Sequence, residues 1–147
     1  MPASVFVEVK GLQELGERLR LMKSEVSLKI GRQAVNAGAQ VIKKQAIANA
    51  PIWPKPHKLE GVMVPSGNLK KNIVVKKIKS PLVAEYIVTV RGKKKDAYAA
   101  RYGRLVEFGT VKMAAEPYLR PAFDSKKSEA VEAIKAKLIA GIEKAER

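Results

Sequence analysis

Cysteine is absent from the 147 residues, which excludes disulfides and thiolate metal sites and fits a reducing compartment. There is one histidine, His57, so no histidine cluster can form, and Lys55 and Lys58 beside it disfavour a bound cation. Aromatic residues make up 5% of the chain, too few for a rich base-stacking platform. No run of about 18 apolar residues occurs, which excludes a helical membrane span. Met1-Pro2-Ala3-Ser4-Val5-Phe6 lacks a basic stretch followed by an apolar one, so no cleaved signal peptide is expected. Phosphate loops are missing too: neither G-x-G-x-x-G nor G-x-x-x-x-G-K-[ST] is present. The 14 acidic residues form no recognisable pair or motif, and with no nucleophile–base or metal set the chain is read as a non-enzyme needing no cofactor or metal.

What the chain does have is positive charge, 29 Lys and Arg giving a net +15. Residues 1–50 carry +4, residues 51–112 carry +10 and residues 113–147 carry +1. A basic middle segment favours a polyanionic partner, whether nucleic acid, an acidic protein surface or a membrane face, although a merely solvated surface has the same composition.

The length fits one domain spanning 1–147. Alternating Val5, Val7 and Val9 predict a short strand stopped by Gly11. Leu12, Leu15, Leu19 and Met22 predict a first helix, and Val26, Ile30, Ala34, Ala37 and Val41 a second, with Ser24 as its cap and Ala50-Pro51 as its stop. Four of the eight prolines lie within 51–65, so a loop without regular structure is expected there. Its Trp53 either anchors a partner or folds back over the core. Residues 66–72 predict a turn and one turn of helix. Segments 73–79 and 82–91 predict an antiparallel hairpin around Ser80-Pro81, with Tyr86, Val88 and Val90 on one face. Gly92-Lys93-Lys94-Lys95-Asp96 reads as a basic loop over 92–96, residues 98–102 as a third strand, and Leu105-Val106-Glu107-Phe108 as a short helix stopped by Gly109. From about Pro117, residues Leu119, Phe123, Ala130, Ile134, Leu138 and Ile142 predict a long amphipathic helix. The fold class is therefore α+β: two N-terminal helices, a small mainly antiparallel sheet and a long C-terminal helix.

Three segments carry a resemblance. They are Ser66-Gly67-Asn68-Leu69-Lys70-Lys71-Asn72-Ile73; Tyr98-Ala99 with Tyr102 and Leu105-Val106-Glu107-Phe108-Gly109-Thr110; and Pro117-Tyr118-Leu119-Arg120-Pro121-Ala122-Phe123-Asp124. In order and spacing the chain resembles the siphophage tail-component family, typified by the tail-completion and neck proteins of lambdoid phages. It departs from the pattern at Ser66, where threonine is usual, and at Gly103-Arg104, inserted before Leu105. The resemblance implies a structural virion protein at the head–tail junction or the head-proximal tail end, assembled in the host cytoplasm. Such a protein is expected to close into a hexameric ring around the DNA channel and to meet neighbouring neck, tail-terminator and tail-tube proteins, with no membrane partner.

The residues expected at subunit or partner contacts are Trp53, Lys93, Lys94, Lys95, Arg101, Arg104, Glu107, Thr110 and Arg120. Glu107, the only acid between Asp96 and Glu116, is expected to bridge to Arg101, Arg104 or a neighbouring chain. The basic residues are expected to face acidic proteins rather than the passing DNA, because tight phosphate binding would hinder the genome. The alternative is a basic nucleic-acid-binding protein, which predicts salt-steep DNA binding by the free chain.

Overall fold

The computed structural model describes residues 11–52, 57–59, 62–64, 66–92 and 97–147. The predicted strand at 5–9 lies outside them. Two helices come first, α1 (Leu12–Arg20) and α2 (Ser24–Asn49), and a long α5 (Leu119–Glu146) comes last. Between them lie the hairpin β1 (His57–Leu59) and β2 (Val62–Val64), the short α3 (Asn68–Asn72), the hairpin β3 (Ile73–Ile78) and β4 (Glu85–Val90), and α4 (Ala97–Phe108). Both hairpins are antiparallel and they form separate two-stranded sheets. The architecture is α+β.

The pairing of α2 with α5 is the spine. On α2 the buried residues are Ile30, Ala34, Gly38, Ile42 and Ala46, a strict every-fourth-residue ridge. This corrects the expected stripe, since Val26 is exposed and Gly38, not Ala37, sits in the contact. The reason is proximity: a Cβ on Gly38 would lie 2.7 Å from Cγ1 of Ile134, and one on Gly141 2.8 Å from Cγ2 of Ile30. Ile30 opposite Gly141 and Gly38 opposite Ile134 require the two helices to run antiparallel. Helix α2 stops at Ala50, whose backbone is extended before Pro51. Ser24 is not its cap: Lys23 holds that position, and no side chain bonds to the open N–H groups.

Two apolar clusters lie along the spine. One joins Leu15, Ile30, Ala34, Leu138 and Ile142, with Leu12, Leu19 and Met22 packed against it. Outside this cluster Arg18 clamps Glu146 through two bonds, Nε to Oε1 at 3.1 Å and Nη2 to Oε2 at 2.7 Å, tying α1 to the end of α5. The other cluster joins Ala46 and Ala50 to Leu69, Ile73, Tyr102, Val106, Tyr118 and Ala122.

The β3–β4 hairpin follows the predicted alternation. Ile73, Val75 and Lys77 pair with Val90, Val88 and Tyr86, and Val88 and Val90 pack on the second cluster. Its base is tied to α3, because Arg91 donates its N–H to the Asn72 carbonyl at 2.7 Å. At its far end Arg32 of α2 donates from Nη2 to the Ser80 carbonyl at 2.8 Å.

Two local expectations are overturned. Residues 98–102 are not a third strand; they belong to α4, of which the expected helix at 105–108 is only the last turn. The run Ala97, Ala99, Ala100 favours a helix, and Tyr102 and Val106, four apart, bury one face of it. The 51–65 segment is not without regular structure either. The strands β1 and β2 lie inside it.

Candidate assembly surface at the junction of α4 and α5

Helix α5 begins at Leu119 with Tyr118 as its N-cap residue, and a tyrosine side chain cannot reach back to cap its own helix. The open N–H groups are satisfied from α4 instead. Glu107 Oε2 accepts the N–H of Tyr118 at 2.8 Å and of Leu119 at 2.9 Å, while Oε1 accepts that of Arg120 at 3.0 Å. A carboxylate at a helix N-terminus also meets the positive end of the helix dipole, so this charge tolerates burial to 9% exposure. The task expected for Glu107 was a salt bridge to Arg101, Arg104 or another chain. The structure gives it an internal one, the clasp between two motifs that are separate in sequence.

The loop between the helices is shaped to allow this. Gly109 turns the chain with φ 72°, and a Cβ there would lie 2.7 Å from the Ala115 nitrogen. Thr110 and Met113 exchange backbone bonds at 2.8 and 3.3 Å, and Thr110 Oγ1 accepts the Lys112 N–H at 3.3 Å. Glu116 donates its N–H to the Val106 carbonyl at 2.8 Å, folding the loop back along α4.

Beneath it Tyr118 is wholly buried, and its hydroxyl donates to the Gly103 carbonyl at 3.1 Å. Burial raises the Tyr118 phenol well above its ordinary pKa, and the charge of Glu107 and then Tyr102 add to the effect. Tyr102 is pushed up to about 12, chiefly by burial and then by Glu116. A Cβ on Gly103 would lie 2.7 Å from the Tyr118 oxygen and 2.9 Å from Cγ2 of Val90.

Outside the clasp, Arg101, Arg104, Thr110 and Arg120 are all exposed. Trp53 and Lys93, Lys94 and Lys95 lie outside the described residues. Two residues were missed by sequence reasoning. Phe108, the last residue of α4, is 76% exposed, and Val111, in the hydrogen-bonded Thr110–Met113 turn that follows Gly109, is fully so. Periodicity held the signal for Phe108: it follows buried Val106 by two residues, which places it on the far side of the helix. Leu119 is partly buried against the core and Phe123 half-buried; the fully buried positions here are Tyr118 and Ala122.

Among the described residues no group of three or more His, Asp and Glu could hold a metal, and no helix is long and apolar enough to cross a membrane. A family model described as "Bacteriophage HK97-gp10, putative tail-component" matches residues 13–109, well over half of the chain. The match covers α1 through α4 and includes Glu107 and Gly109, while the N–H partners of Glu107 lie just beyond it. No curated protein and no solved structure matches the chain.

Proposed function

This chain belongs to the HK97-gp10-like family of bacteriophage tail components, and we propose that it acts at the head–tail junction, or at the head-proximal end of the tail, by closing into a hexameric ring. It is a structural protein of the virion that meets other phage structural proteins. In the proposed ring each subunit makes the same head-to-tail contact with the next. The observation that supports an assembly role is the junction of α4 and α5, where a buried carboxylate and a hydrogen-bonded loop hold Phe108 and Val111 in solvent. An aromatic at the end of an already ordered helix is what an interface hot spot requires, because little entropy remains to be lost on contact. Arg101, Arg104, Thr110 and Arg120 would form its polar rim.

The partners in this reading are further copies of the chain and the neighbouring neck, tail-terminator and tail-tube proteins, with the phage DNA passing through. The reading assigns the chain no catalysis and places its assembly in the host cytoplasm. The test is a phage unable to make the chain. Electron microscopy of its lysate should show filled heads and tails that remain apart, whereas a normal yield of joined particles would overturn the role.

A further inference from the structure

The second exposed apolar surface is the far half of the β3–β4 hairpin. Ile78, Leu82, Val83 and Ile87 are all exposed, Leu82 by 86% and Val83 by 56%. The register places Ile78 opposite Glu85 and Ile87 opposite Lys76, so both isoleucines lie on one face of the ribbon, with the Leu82-Val83 tip beyond them. The arm is held in place: Arg32 bonds to the Ser80 carbonyl, and Ser80 Oγ accepts the N–H groups of Leu82 at 3.3 Å and Val83 at 3.2 Å.

Around this apolar centre the charge is mainly positive, with Lys76, Lys77 and Lys79 against the single acid Glu85, which the register sets opposite Ile78. Lys70 and Lys71 on α3 and Arg91 at the hairpin base add positive charge at its other end. The ion pairs Arg18–Glu146, Lys126–Glu129 and Lys135–Glu132 leave all of these out. Lysines on an exposed strand also guard against unwanted pairing, which accounts for Lys76 and Lys77 alone. It does not account for four aliphatic side chains standing in water at the same place.

We propose that this arm docks onto an acidic surface of a different protein of the phage particle, with Ile78, Leu82, Val83 and Ile87 as the dry centre and Lys76, on the same face, with Lys79 beyond the strand end as the charged rim. An apolar centre with a polar rim is the anatomy of a protein interface. A nucleic acid is the poorer fit, since phosphates satisfy the lysines and leave the aliphatic residues wet. A second copy of the chain is a poorer source of an acidic surface, since its 14 Asp and Glu are outnumbered by 29 Lys and Arg. This deepens the assembly reading and rests on it.

The absence of cysteine makes the test direct. Leu82→Cys introduces a unique thiol at an exposed position, which carries a photoreactive maleimide probe in particles assembled with the full-length variant. Mass spectrometry should find the probe joined to a different virion protein, within a segment rich in Asp and Glu. A crosslink to another copy of this chain, a crosslink to DNA, or no crosslink in particles that contain the protein would overturn the arm proposal while leaving the ring intact. Absence of the unsubstituted protein from particles would overturn the assembly reading instead. In parallel, Lys76→Glu and Lys79→Glu together should lower infectious titre at least tenfold with the melting temperature unchanged. An unaltered titre would equally overturn the proposal.

Discussion

The junction of α4 and α5 and the β3–β4 arm both display apolar side chains to solvent, but they are built on opposite terms. At the junction the exposed Phe108 and Val111 stand on a buried base, where one carboxylate takes three backbone N–H groups and Tyr118 is sealed beneath. On the arm there is no base of that kind. Lys76, Lys77 and Ile78 are exposed in succession, so both faces of the ribbon are wet, and the register and the Arg32 tether hold it. Changes at the junction should therefore disturb folding before they disturb assembly, and changes on the arm should disturb assembly alone.

The largest effect should come from Glu107→Ala, which strips the acceptor from three N–H groups. A loss of about 3 kcal/mol in urea unfolding is expected. Glu107→Gln keeps the shape without the charge and should lose about half of that. If neither variant is destabilised, the clasp does not distinguish the two regions.

Next is Gly109→Ala, which forces a side chain into a left-handed turn and against the Ala115 nitrogen, for a loss of about 2 kcal/mol by the same assay. Tyr118→Phe removes the bond to the Gly103 carbonyl and should cost about 1 kcal/mol.

The buried phenols add a dependence on pH. A phenol whose pKa is raised in the fold favours the protonated native state. That contribution is complete below an unfolded value of about 10 and is lost as pH rises further. For Tyr102 the loss runs to about 12. Stability should therefore fall steeply above about pH 10, and Tyr118→Phe should blunt the fall.

Smallest is Leu82→Ala with Val83→Ala on the arm, which should change stability by less than about 0.5 kcal/mol. A larger loss would mean that the arm supports the fold, and the contrast between the two regions would collapse.

The sequence made the hairpin legible because Ser80-Pro81 interrupts two alternating segments, and α2 legible because Ala50-Pro51 ends it. The long α5 followed from its repeat, although the true ridge on α2 ran through Gly38, where hydropathy alone has nothing to read. The tyrosines at 98 and 102 suggested a strand, yet four-residue spacing among alanines is helical, and α4 obeys the spacing. The task of Glu107 was out of reach, since its partners are backbone groups 11 to 13 residues away. Tyr118, next to Pro117, reads as the start of the long helix; its burial and its bond to Gly103 of α4 are tertiary and leave no sequence signal. The family resemblance agrees with the family match, which spans the first of its three motifs and the second as far as Gly109, and the structure joins the second to the third: the carboxylate of E-F-G-T caps the helix that opens with L-R-P-A-F.

The ring is the central claim, and copy number tests it most directly. Quantitative mass spectrometry of purified particles should find about six copies of this chain per particle, or a small multiple of that, as a closed symmetric ring requires. A count that fits no six-fold ring, or absence from mature particles, would contradict it.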